Sequence, residues 1–141
     1  MTTVGITQAD LAETAKAHLR DAKILRDNAS YNGAVYLCGY AVELALKSRI
    51  CQTLDWPTFP PVKNDDNTKA EGDFRGLFTH DPNTLLWFSG MVRNIKPKYL
   101  AEWSIVGEWK PDLRYSPVGS TTLVTANERI EATGTLLGVL L

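Results

Sequence analysis

Between residues 8 and 27 apolar side chains return at three- and four-residue steps, at Leu11, Ala15, Leu19, Ala22 and Leu25, while Glu13, Lys16, Arg20, Asp21, Lys23 and Asp27 occupy the other face. That period predicts an amphipathic helix about five turns long, apolar toward a core and mixed in charge toward water. Thr7, three residues before Asp10, supplies a capping pair at its start, and "DNAS" at 27–30 ends it. The next segment is different. From Tyr31 to Thr53 the chain is apolar nearly all round, with Ser30 placed to cap it and with Gly33 and Gly39 lowering helix propensity without breaking the ladder. At about 100° per residue, Asn32, Tyr36, Tyr40, Glu43 and Lys47 share one stripe. Ala34, Leu37, Cys38, Ala41, Leu44 and Ala45 cover much of the rest. A helix apolar on most sides is surrounded by others, so this one is predicted to run through the middle of a bundle and to keep one polar and aromatic seam.

From 55 to 79 the period is lost. "DWPTFPP" forbids regular helix and "VKNDDNTKAEGD" is polar and turn-rich. So long a connection is uncommon inside a compact domain; it reads as a flexible excursion, with a functional flap as the alternative. "HDPNTLLWFSGMVRNI" restarts a helix, capped by Asp81 with Pro82 at its first position, and Leu85, Leu86, Phe88 and Val92 are expected on its buried side. A short helix and an irregular aromatic-rich stretch follow to about residue 117. "TTLVTANERIEATGTLLGVLL" is the last helix, with Leu123, Ala126, Ile130 and Leu137 inward and an end weakened by Gly134 and Gly138. No stretch alternates long enough to build a sheet, and no repeat is visible. The expected class is all-α: one domain over 1–141, a four- to five-helix bundle with its long loop between the second and third main helices.

Composition narrows the function more than the fold. With 141 residues, 44% apolar and 22% charged, the chain is long enough for one core, and its apolar runs fall short of the about 20 residues that span a bilayer. The N-terminal "MTTVGITQADLAET" has no basic and apolar leader pattern, so a cytoplasmic location is expected. Cys38 and Cys51 lie on one helix, 13 residues or about 20 Å apart, and cannot pair within the chain. Two cysteines and two histidines without CxxC or HxxxH spacing argue against zinc, and no cofactor or metal is expected. A net charge of −1 provides no general field for nucleic acid, so any RNA or nucleotide binding must come from a local pocket.

Four stretches, "AKAHLRDAKIL", "YNGAVYLCGYAVELALKSRI", "THDPNTLL" and "WKPDLRYSP", together resemble the HEPN family, the higher-eukaryote and prokaryote nucleotide-binding domains. The strongest part is GYAVELALK, where the family has a similar glycine, acid and lysine. The resemblance implies a small helical bundle, commonly a homodimer. It also implies one of three roles: a toxin ribonuclease, a partner of a small nucleotidyltransferase, or a non-catalytic binding module in prokaryotic defence or toxin–antitoxin systems. Ribonuclease members carry an arginine followed four to six residues later by a histidine, the first steadying phosphate charge and the second moving a proton without a metal. No histidine follows Arg93 or Arg114, where that pair is expected. Arg75 and His80 have the spacing, but His80 stands before a helix-capping "DP", where packing or a local bond is the simpler role. The ribonuclease using Arg75 and His80 is therefore the alternative, and a purely structural dimerisation module is the third reading.

The binding candidates are Glu43, Lys47, Tyr36, Arg93, Arg114 and Tyr115. Glu43 followed four residues later by Lys47 is the favoured orientation for a helical ion pair. Facing a cleft, the same pair would need further bonds, for which Tyr36 and Tyr40 are nearest, and Lys47 could then hold a phosphate with Glu43 orienting it. Arg114 and Tyr115 resemble an "RY" that many HEPN members place before the last helix; a guanidinium fork suits phosphate and a tyrosine can stack a base. Arg93, Lys96, Lys98, Lys110 and Arg114 against Glu102, Glu108 and Asp112 leave a local positive excess. The competing reading has Tyr115 packed beside Trp103 and Trp109 and Arg114 in a salt bridge. The same tryptophan-rich stretch offers apolar area for a dimer interface.

Overall fold

The computed structural model describes residues 5–60 and 75–141, with Arg75 described by its backbone alone. Element order is β1 (Ile6–Thr7), α1 (Gln8–Asp27), α2 (Tyr31–Leu54), β2 (Thr58–Phe59), a 3-10 turn (Arg75–Leu77), α3 (Pro82–Ser89), α4 (Val92–Ile95), α5 (Leu100–Val106), a second 3-10 turn (Pro111–Tyr115) and α6 (Leu123–Leu140). The chain is an all-α bundle. Among the described residues its one departure is a two-residue antiparallel ladder pairing Ile6 with Phe59 and Thr7 with Thr58, which the polar-apolar pattern was too short to announce. Of the expected 55–79 loop, residues 61–74 lie outside the described residues; on either side of them the chain is β2 and a 3-10 turn. No helix among the described residues is long and apolar enough to cross a membrane.

Local signals account for most helix ends. Thr7 Oγ1 accepts the Asp10 N–H at 3.1 Å and starts α1. Asp81 accepts the Asn83 N–H at 3.2 Å and the Thr84 hydroxyl at 2.8 Å, with Pro82 leading α3. Ser30, by contrast, makes no side-chain cap. Ala29, at φ 61, turns the chain so sharply that the Ser30 N–H donates back to the Leu25 carbonyl at 2.8 Å. The single helix expected over 81–95 is two, because Gly90 takes φ 76, a left-handed conformation that ends α3. Asp81→Ala is expected to lower stability by about 0.5–2 kcal/mol, read as a fall in the thermal midpoint, because one orphaned backbone donor at the α3 start and the Thr84 hydroxyl lose their acceptor.

α2 sits between α1, α3 and α6. Leu46, Ile50, Leu85, Leu86, Leu136 and Leu140 meet in its core, and buried Ala15, Ala22, Ala41 and Ala45 keep side chains short along α1 and α2. Two residues expected inward are not. Phe88 and Leu123 are exposed, because α3 is too short to be covered on that side and Leu123 is the first residue of α6. Trp103 and Trp109 are buried within the chain, which removes them from the surface where a dimer interface was expected to use them. Trp103 Nε1–H donates to Asn83 Oδ1 at 2.9 Å and so fastens α5 to α3. Cys38 and Cys51 are free and buried, and burial pushes each thiol up to about 11.

Candidate functional site: a buried carboxylate on the α2 seam

Glu43 is the centre of the seam and is only 3% exposed. Its Oε2 accepts from Lys47 Nζ at 3.2 Å, and its Oε1 meets His80 Nδ1 at 2.6 Å. A carboxylate left alone at that depth would be costly; two donors on separate oxygens compensate it. Lys47 is itself largely buried and also lies over the Phe59 ring, 5.3 Å from its centroid, so the β1–β2 ladder fixes the wall that the ammonium rests on. The His80 side chain is 55% exposed. A proton on Nδ1 directed at Glu43 leaves Nε2 for another partner.

Beside this hub the tyrosines form a second group. The Tyr36 and Tyr40 hydroxyls share a hydrogen bond at 3.2 Å, and Tyr40 stands edge-on to His80 with centroids 6.3 Å apart. The bond to Tyr36, then burial, then the nearby Glu43 charge push the Tyr40 hydroxyl up to about 12, so it remains a protonated donor at neutral pH. Both rings lean on Trp109, at 6.2 and 4.9 Å between centroids. Trp109 reaches this place because Gly39 has no Cβ: one built there would fall within the indole ring. The Trp109 Nε1–H, buried, has no acceptor among the described residues.

Arg114 closes the seam from the second 3-10 turn. Its guanidinium lies 4.8 Å over the Tyr115 ring, and attraction to the Tyr115 hydroxyl, then to that of Tyr36, holds it further above its ordinary value. Asn32 sets the position of this turn by donating to the Pro117 carbonyl at 2.9 Å and accepting the Thr121 N–H at 3.2 Å. Neither half of the competing reading for this pair survives: Tyr115 is 75% exposed, not packed beside the tryptophans, and Arg114 stacks on it without a salt bridge among the described residues.

The structure thus brings together Tyr36, Tyr40, Glu43, Lys47, His80 and Arg114. His80 packs edge-on against Tyr40, and its hydrogen bond is not local: Glu43 is 37 residues away. Arg93 is exposed on α4, and no bond joins it to this group among the described residues. The Arg75 side chain lies outside the described residues, so its pairing with His80 does too. Two contributors escaped the sequence reading. Phe59 lies in a proline-broken stretch without period, and the fit of Trp109 against Gly39 had for a signal only a glycine in the middle of a long helix.

These elements define a helical bundle whose central helix carries a buried acid bound to a lysine and a histidine. The HEPN domain family model matches residues 8–56, the span of α1, α2 and the turn after them, and so bears out the resemblance drawn from the GYAVELALK stretch. His80 and Arg114 lie beyond the matched span. No curated protein and no solved structure matches the chain.

Proposed function

We propose that this chain is a HEPN-type module that binds RNA along the α2 seam without cutting it, in a prokaryotic defence or toxin–antitoxin setting. The observation that carries the reading is the exposed Arg114, with its guanidinium 4.8 Å over the exposed Tyr115 ring, together with His80 edge-on to Tyr40 on the seam. No histidine follows Arg114 at the spacing that ribonuclease members use, which favours binding over cutting. Arg114, exposed and stacked on Tyr115, takes the phosphate, and the open face of Tyr115 takes a base. Lys47, engaged by Glu43 and Phe59, acts by holding the hub. The setting, a homodimeric state and a nucleotidyltransferase-type partner rest on the family resemblance alone.

The short Glu43–His80 bond favours a second reading, a metal-independent ribonuclease in which the carboxylate orients the imidazole for proton transfer with Arg75 as the cation. Incubating a mixed RNA pool with the parent protein and with His80→Ala in EDTA separates the two. Intact RNA with both proteins is the expected result. Arg114→Ala should weaken RNA binding about tenfold, or 1.4 kcal/mol, and flatten its salt dependence by about one unit of slope. Cutting in EDTA that disappears in a folded His80→Ala variant would establish the ribonuclease instead.

A further inference from the structure

Away from the seam, α1 and α6 enclose a groove of about 440 Å³, with Leu19, Leu137 and Leu141 in its floor and Lys16, Arg20 and Lys23 along one rim. It continues past Lys16 and Leu141 into a further hollow of about 510 Å³ that reaches Ala9. Ala9 and Lys23 lie 14 residues apart on α1, so the two together run about 20 Å along that helix. On the opposite side Gly138 is exposed, and a Cβ built there meets nothing within 4 Å, which leaves the groove open to a visitor. The three cations follow one another at four and three residues, exposed on one face of α1, where like charges repel. Among the described residues neither Arg20 nor Lys23 has an ion-pair partner, and Lys16 reaches only the exposed Glu13, at 3.4 Å.

We propose that this groove receives an amphipathic helix of a second protein, about four turns long, with aliphatic side chains on the leucine floor and a stripe of carboxylates against Lys16, Arg20 and Lys23. A crevice between two packed helices seats a third at the usual interaxial distance of about 8–10 Å. The apolar floor supplies burial, and the cations set orientation and choice of partner. RNA suits the rim but not the floor: among the described residues no aromatic ring lines the groove for a base to stack on, and phosphates alone would leave the leucines in water. A second copy of this chain matches the rim poorly. None of its described helices carries three acids at steps of three or four; α1, with Asp10 and Glu13, and α6, with Glu128 and Glu131, stop at two. The groove shares no residue with the tyrosine seam, so its occupancy is independent of RNA binding there.

The probe is a labelled peptide of about 16 residues built from leucine, alanine and glutamate, its leucines on one helical face and three glutamates at steps of three and four beside them. The reference is a peptide of the same composition in scrambled order. Fluorescence anisotropy with the full chain should show saturable binding of the patterned peptide at tens of micromolar in about 0.1 M salt, and about tenfold weaker binding in about 1 M, where the screening length falls from about 10 to about 3 Å. Arg20→Glu with Lys23→Glu should weaken it about tenfold or more. Gly138→Leu, whose side chain fills the groove from a helix position with space around its Cβ, should abolish it with far-ultraviolet dichroism and RNA binding unchanged. Arg114→Ala, on the seam, should bind the peptide as the parent does. A patterned peptide that binds no better than the scrambled one, or that binds Gly138→Leu as it binds the parent, would overturn the proposal. Loss of RNA binding in Gly138→Leu would overturn it by assigning the groove to RNA, and a parent dimer that becomes monomeric in Gly138→Leu by assigning it to a second copy.

Discussion

Glu43→Leu is expected to lower the unfolding free energy by about 1.5–3 kcal/mol, the range for losing charge-assisted hydrogen bonds. Breaking a fully buried pair costs about 3–5 kcal/mol, because the remaining charge is stranded. Here the loss is smaller for a visible reason: His80 is half in water, and Lys47 has a flexible stem that can carry its ammonium outward. Leucine also fills the volume that the carboxylate leaves. Urea denaturation at neutral pH reads the change as a lower midpoint at constant slope. Glu43→Gln, which keeps the shape and one acceptor oxygen but replaces the other with a donor and removes the charge, should fall between parent and Glu43→Leu. If both variants melt with the parent, the hub contributes nothing to stability.

Gly39→Ala is expected to destabilise by about 1–3 kcal/mol although alanine is the better helix former. Two effects oppose. Replacing glycine inside a helix gains about 0.5–1 kcal/mol from backbone entropy. Against it, the new methyl falls where the Trp109 indole now sits, and that ring is packed with Tyr36 and Tyr40, so any shift of it disturbs them too. Overpacking of this kind costs about 1–3 kcal/mol, occasionally more, and a methyl inside an aromatic ring belongs to the upper part of that range. Gly134→Ala is the control: its methyl would meet only Leu19 Cδ2 at 3.8 Å, ordinary contact, so that variant should gain stability. Near-ultraviolet dichroism should change for Gly39→Ala alone, since the aromatic seam is what moves. Parent-like stability and aromatic signal in Gly39→Ala would show that Trp109 is not seated on Gly39.

The helices themselves were written in short-range pattern. α1 and α6 follow from apolar steps of three and four, α2 from a long, nearly all-apolar run, and the starts of α1 and α3 from Thr7 and Asp81, because period and capping bonds involve residues within one turn of each other. The α2 stripe was legible for the same reason: Tyr36, Tyr40, Glu43 and Lys47 share a face in any α-helix that holds them. What that stripe faces was not. His80 on Glu43, Trp109 on Gly39 and Phe59 under Lys47 join residues 37, 70 and 12 positions apart, and no local pattern encodes a partner at such distances. Burial of single aromatics escaped in the same way. Trp103 and Trp109 went in and Phe88 and Tyr115 stayed out, since a large ring is buried only where neighbouring elements leave a space of its shape. The order of apolar and polar residues along the chain therefore determined that a bundle forms and which side of α2 is polar. The packing of α3 and the 109–115 stretch against α2 decided that this polar side is a buried acid held between a lysine and a histidine, because only close approach in three dimensions removes a carboxylate from water and supplies its replacement bonds.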